Sequence, residues 1–332
     1  SSECPSNVDM AKLKGEWQYQ YYQDKGIPLR NRLIGNFTMA MSLASKIPWA
    51  YQLIFSNKFS GGVAKAIAGF AFERSMPALG SLTFKKWLKT HFKPLNNGSK
   101  KILYLFCDEF TEYNDVEIGQ KTMLLLDRLG YQVRRISHPE SGRSFMSKGM
   151  LKEAKKLAKK NVTLFSEIIS EEVPLVGIEP STILSFRDEI PALIKDEDIK
   201  LLQNNSYTFE ELLEKNCKKL KFKKLNQKVL LHGHCHQKAF DVVKPIESLL
   251  KKIEGLEVET IETSCCGMAG AFGYGKDTFD ISMKMADEKL FPAIQNTDKN
   301  VTIIADGTSC RCQIKDGLNR NAIHVSRSEE RR

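Results

Sequence analysis

Five of the eight cysteines, Cys235, Cys265, Cys266, Cys310 and Cys312, fall between positions 235 and 312 of the 332-residue chain. Clustered thiols in a chain of this size bind soft metals or do redox chemistry more often than they staple a small fold. The adjacent pair Cys265-Cys266 suits a zinc knuckle poorly, because that knuckle separates its two cysteines by two residues. Neighbouring cysteines can instead ligate two irons of one cluster, where electron-rich sulfur stabilises the iron. Gly267 follows the pair directly, and Gly270, Gly273 and Gly275 continue a loop with little side-chain bulk. Such a backbone can approach an inorganic core and donate N–H groups to its sulfur. Structural zinc and inert buried thiols are the alternatives.

His232, His234 and His236 alternate around Cys235. On an extended strand they would share a face and mimic the His-x-His pair of a metal hydrolase. The carboxylate and distant histidine that such a site needs are not evident. A histidine beside the cysteine set, acting as hydrogen-bond donor or ligand, is the better functional reading, and His234 and His236 are the candidates for contacting a cofactor. Cys107 is a core-strand residue that remains a candidate ligand. Cys217 lies in a lysine-rich stretch and reads as structural or exposed. Cys4 stands in Cys4-Pro5 near the start. No residue stands out as catalytic in its own right.

The elements that must position these residues alternate between strand and helix. Short apolar runs at 101–107, 131–137 and 173–179 are separated by helices over about 115–129 and about 147–160, with a further helix to about 171. The order recurs with strands at 228–234, 256–262 and 300–305 and helices over about 241–252 and 277–290. This pattern predicts parallel βαβ units, whose functional loops sit at the carboxyl ends of the strands. Aligned, Cys107 falls near Cys235, Glu140-Ser141-Gly142 on Cys265-Cys266-Gly267, and Thr182 on Cys310. An old duplication explains this, with one copy keeping its cysteines and the other losing most of them. The expected fold is α/β, with two tandem lobes at 100–195 and 228–325 joined by a helical linker at 196–227. A helical region at 1–95 precedes them, with breaks at Gly26-Ile27-Pro28, Pro48, Gly61-Gly62 and Pro77, and a tail at 326–332 follows.

Charge is unevenly placed. The chain carries a formal +10, yet the first hundred residues hold 14 basic and 5 acidic side chains, together with 14 of the 30 aromatics. The composition is too apolar for disorder, and no run of about 18 uncharged apolar residues predicts a transmembrane helix. The opening has no charged-then-apolar stretch of a signal peptide and reads as a cut through something longer. A cytoplasmic location follows as an expectation, with peripheral contact at the inner membrane face through the basic, aromatic helices. Neither GxGxxG nor GxxxxGK[ST] occurs, and no nucleic-acid motif accompanies the basic segment, so no nucleic-acid partner is expected.

Three strings carry a family resemblance: VLLHGHCHQKAF (229–240), ETSCCGMAGAFGYG (262–275) and ADGTSCRCQI (305–314). They resemble the cysteine-rich "CCG" domain found in heterodisulfide reductase, in the iron–sulfur protein of glycolate oxidase, and in the C-terminal part of FAD-linked D-lactate or D-2-hydroxyglutarate dehydrogenases. The GMAGAFGY continuation looks most like the last group, and residues 105–119, 142–154 and 176–191 look like its degenerate first half. Cys4-Pro5 resembles the end of that group's two-cluster ferredoxin segment. The resemblance implies a 4Fe-4S cluster on Cys235, Cys265, Cys266 and Cys310, with Cys312 as an extra ligand or bystander and Cys4 as a ferredoxin ligand. It also implies upstream FAD and ferredoxin domains of the same polypeptide, and a quinone or cytochrome as acceptor. The CCG protein of heterodisulfide reductase has full cysteine sets in both halves, whereas Glu140, Ser141 and Thr182 occupy the first half here. That departure weighs against a thiol/disulfide module and against a second cluster.

Overall fold

The structure is a computed structural model that describes residues 8–195, 197–216, 222–263 and 265–330. Cys4 and Cys217 lie outside the described residues.

Two four-stranded parallel sheets organise the chain. The first contains β1 (Ile102–Phe106), β2 (Gln132–Arg134), β3 (Leu175–Gly177) and β4 (Ser206–Thr208), in the order β2-β1-β3-β4. The second contains β5 (Gln227–Leu231), β6 (Leu256–Thr260), β7 (Thr302–Ile304) and β8 (Ala322–Ile323), in the order β6-β5-β7-β8. Both sheets therefore have one topology, as a duplication requires. Leu105 of β1 pairs with Val176 of β3, and Leu230 of β5 with Ile303 of β7. The buried parts of these central strands, such as residues 229–231 of β5, are apolar because helices cover both sheet faces. The edge strand β6 instead alternates, with Glu257 and Glu259 turned to solvent.

Each lobe carries a fourth strand that the sequence pattern does not announce. β4 lies within 196–227, between helices Asp198–Asn205 and Phe209–Asn216, so the expected linker also completes the first sheet. At three and two residues, β4 and β8 are too short to show a period. One core spans the lobes: Leu103, Leu126, Val176 and Phe209 pack with Val229, Leu231, Ile246 and Ile304. Residues 326–330, expected as part of a tail, belong to a 3-10 turn, Val325–Glu330. Val325 and Ser326 are buried there, and Arg327 pairs with Glu117 of the first lobe at 3.1 Å.

The first hundred residues are mostly helical. Helix Met10–Lys25 ends at Gly26, and Pro48 opens helix Pro48–Ser56. Gly61-Gly62 does not break the chain but lies inside helix Lys58–Ala68. A Cβ on Gly61 would come within 3.3 Å of the Ile54 carbonyl, so the missing side chain serves close helix packing. After this helix the chain crosses the second lobe. Phe70 bridges Gly275, and the Ala71 N–H donates to the Tyr274 carbonyl at 2.8 Å. Arg74 is fully buried; its Nε donates to the Gly273 carbonyl at 2.7 Å, its Nη2 reaches the Ser282 hydroxyl at 3.0 Å, and its Nη1 faces Asp316.

Candidate metal centre

Three strand-to-helix loops of the second lobe converge at the carboxyl end of its sheet. Cys235 opens helix Cys235–Ala239 after β5, Cys265-Cys266 follow β6, and Cys310 lies in the first turn of helix Thr308–Leu318 after β7. The Sγ atoms of Cys235 and Cys265 are 3.9 Å apart. Those of Cys266 and Cys310 lie with a His232 ring nitrogen inside a group whose members are all within 4.8 Å of one another. All of these cysteines are free thiols. Cys266 and Cys310 are buried, whereas Cys235 and Cys265 are partly exposed and mark the open side.

The thiols divide into two kinds. Hydrogen bonds from Cys235 and Cys266, with the Gly267 N–H at 3.3 Å, hold the Cys265 thiol well below its usual range. A hydrogen bond from Cys266, aided by His232, does the same for Cys310 against its burial. Cys235 and Cys266, as the donors, are pushed up. The set thus favours two thiolates and keeps two protons to be released when a metal binds. The Lys238 ammonium, bonded to the Thr263 hydroxyl at 2.7 Å, is felt by all four sulfurs and offsets their negative charge.

Gly267 has φ +86°, and a Cβ there would lie 2.2 Å from the Ser282 carbonyl oxygen. Only glycine fits this turn, which aims the backbone N–H at sulfur.

The histidines do not continue a strand. β5 ends at Leu231; His234 caps helix Cys235–Ala239, with its Nδ1 accepting from the His236 N–H at 3.2 Å, and His236 lies inside the helix. The His234 and His236 rings stack at 5.3 Å. The expectation of one strand face therefore fails, because β5 ends before the first histidine and the chain turns into a helix before the third. The one that joins the sulfurs is His232, a member of the alternating set but not one of its two cofactor candidates; its Nδ1 pairs with Thr263 Oγ1 at 3.1 Å. Its place as the first residue beyond β5, at the loop mouth, was the available signal. His236 instead binds the first lobe: its Nε2 is 3.1 Å from Glu189 Oε1, which Arg143 also engages. Burial would raise the Glu189 carboxyl, but Arg143 and His236 hold it well below the carboxylate range.

Cys312 does not join the set either. Two residues beyond Cys310 on a helix is a rotation of about 200°, and its thiol meets the buried Tyr274 hydroxyl, with burial pushing it up to about 11.

The first lobe keeps the loop geometry with other chemistry. Asp108 caps helix Glu109–Tyr113 as His234 caps the helix of Cys235, so Glu109 rather than Cys107 occupies the Cys235 position. Gly142, with φ +79°, matches Gly267 and places Ser141 opposite Cys266. The Ser141 hydroxyl donates to Glu109 at 2.6 Å, a side-chain pair where the second lobe has two thiols. Cys107 is buried beside Glu112 at 3.5 Å. Other carboxylates of this lobe grip the second. Glu179 accepts from the Thr308 N–H at 2.9 Å, at the start of the Cys310 helix, and Asp115 binds Arg311 and the Thr308 hydroxyl. A carboxylate at a helix N-terminus is favoured by the helix dipole.

The chain is thus a doubled parallel α/β fold with thiols at three strand ends of one copy. In agreement, residues 229–315 match the family model of the cysteine-rich CCG domain. The chain is 23% identical over 332 residues to D-2-hydroxyglutarate dehydrogenase of Pantoea ananatis (strain AJ13355), covering 95% of this chain and 31% of that protein. It is 22% identical over 328 residues to D-2-hydroxyglutarate dehydrogenase of Escherichia coli (strain K12), again covering 95% and 31%. It is 24% identical over 246 residues to one of the polypeptides of the anaerobic glycerol-3-phosphate dehydrogenase of Escherichia coli (strain K12), covering 73% of this chain and 61% of that polypeptide. The chain is thus related to dehydrogenases and spans about a third of the length of the D-2-hydroxyglutarate enzymes it matches.

Proposed function

We propose that this chain is the iron–sulfur electron-transfer part of a larger flavin-dependent dehydrogenase acting on a D-2-hydroxy acid. The observation that carries the reading is the convergence of Cys235, Cys265, Cys266 and Cys310 on one point, with two of the four thiols already favoured as thiolates. This donor set fits a 4Fe-4S cluster, which takes four cysteine sulfurs. Bound there, the cluster would accept and pass single electrons.

The chain's own residues prepare that role. The Gly267 N–H and the His232 ring donate toward sulfur, which tunes potential. Lys238 balances charge, and the carboxylates Glu179, Asp115 and Glu189 of the first lobe fix the helices that carry Cys310 and Cys235. Cys265 and Cys235 face the open side, the natural route for an electron. Hydride removal from a hydroxy acid needs an organic acceptor, which we assign to an upstream FAD domain of the longer polypeptide, with a quinone or cytochrome as final carrier. The N-terminal helices offer that polypeptide a docking face: Trp17, Trp49, Phe59 and Ile67 are 63, 69, 82 and 71% exposed.

Anaerobic purification followed by iron and acid-labile sulfide assay tests the site. Near-stoichiometric amounts of both are expected, and Cys266→Ser should lose them. Zinc in place of iron would favour a structural scaffold. Thiol-disulfide turnover with the cluster intact would favour a reductase of the heterodisulfide type.

A further inference from the structure

A second group of ligand-type side chains lies between the lobes, outside the cysteine set. Glu210 sits in the first turn of helix Phe209–Asn216, Asp306 just beyond β7 and His324 just beyond β8. One ligand atom from each lies within 4.8 Å of the other two. All three residues are 1% exposed. Both carboxylate oxygens of Glu210 and the Nε2 of His324 are buried without a hydrogen-bond partner. Polar atoms left in this state are costly. A proton shared between the two carboxyls would still leave the His324 Nε2 without a hydrogen bond, 3.7 Å from Asp306 Oδ1, whereas a cation satisfies all three donors together.

The surroundings are those of held ligands. Asp306 Oδ1 accepts from the Val325 N–H at 3.0 Å and its Oδ2 from the Gln237 side-chain amide at 3.0 Å. His324 Nδ1 meets the Ser326 hydroxyl at 3.0 Å, and its ring stacks on Phe209 at 5.5 Å. Outer hydrogen bonds of this kind orient carboxylate and imidazole toward a metal. Donors bound at about 2.0–2.2 Å around one ion stand about 3–4 Å apart, so little movement closes the group. One imidazole, two carboxylates and no sulfur suit a first-row divalent cation of the zinc, manganese or ferrous class.

We propose that Glu210, Asp306 and His324 form a divalent-cation site that ties the first lobe to the second. The ion would also brace the cysteine site. Gln237 joins Asp306 to the His234 N–H, which it accepts at 2.9 Å, one residue before Cys235. The proposal is independent of what the cysteines hold.

Cobalt(II) separates the two sites, because thiolate ligation gives sulfur-to-cobalt charge-transfer absorption and oxygen/nitrogen ligation does not. The full chain, stripped with a chelator and titrated anaerobically with cobalt chloride, is expected to bind one ion lacking that absorption and to melt at a higher temperature with it. Glu210→Gln keeps the side-chain size and removes the anionic ligand. It is expected to weaken this ion by more than the roughly 100-fold that loss of an outer hydrogen-bond partner costs and to abolish the thermal shift, while thiolate-bound cobalt is unchanged. His324→Gln should behave alike and serves if the first variant misfolds. The proposal is overturned if wild-type protein binds no cobalt free of the thiolate signature, or if both variants bind it as tightly as wild type.

Discussion

At the scale of single residues, the two copies of one loop show how a set of converging thiols is kept or replaced. Cys235, Cys265, Cys266 and Cys310 were legible because thiols at three strand ends have few other uses, and their convergence needed only the βαβ pattern. The turn of Cys312 away from the set and the choice of His232 among the three histidines were not. Which way Cys312 faces depends on helix phase, and the place of His232 depends on where β5 ends. Cys312→Ser should therefore retain the full iron and sulfide content, whereas Cys310→Ser should lower both sharply; equal losses would return Cys312 to the ligand set. In the first lobe, burial beside Glu109 and Glu179 pushes the Asp108 carboxyl up to about 7 from an ordinary 3.8. The folded state then binds the proton that the unfolded state releases. This stabilisation is complete below about pH 4 and is lost as pH rises toward 7, with a slope of up to about 1.4 kcal/mol per pH unit. Asp108→Asn should remove that slope. Urea unfolding at about pH 5 and about pH 7 measures it, and an unaltered difference between the two would contradict the assignment.

At the scale of elements, the apolar strands and amphipathic helices were readable from period and length, while β4 and β8 were hidden by brevity. The exchange of thiols for carboxylates in the first lobe was visible as Glu140, Ser141 and Thr182. Its consequence was not, because Glu179, Asp115 and Glu189 act on partners more than 40 residues away in sequence. The same holds for Arg74, whose full burial against the loop 267–275 no local pattern announces. Its guanidinium satisfies the Gly273 carbonyl and faces Asp316, a side chain only 6% exposed. Arg74→Met keeps much of the bulk but removes the positive charge facing that carboxylate, leaving it only the Ser75 hydroxyl at 2.5 Å and the Ser75 N–H. Breaking a buried pair on one side costs about 3–5 kcal/mol, so a large drop in unfolding free energy is expected. Chemical denaturation reads it, and a change under about 1 kcal/mol would show that the N-terminal crossing is dispensable.

At the scale of the whole molecule, the lobes form one body around a shared core, with the cysteine set at its edge and the N-terminal helices laid against the glycine loop. Among the described residues no helix is long and apolar enough to cross a membrane. The chain offers thiols, a counter-charge and backbone donors, all suited to holding an electron carrier. The proposed role is that of an electron relay within a longer flavin-dependent protein. The decisive measurement is rapid-mixing spectroscopy of that full-length protein with D-2-hydroxyglutarate, comparing wild type with Cys266→Ser. A relay predicts flavin reduction at the wild-type rate in the variant and at least a tenfold (about 1.4 kcal/mol) slower delivery of electrons to the acceptor. Delivery at the wild-type rate after loss of the cluster would contradict it.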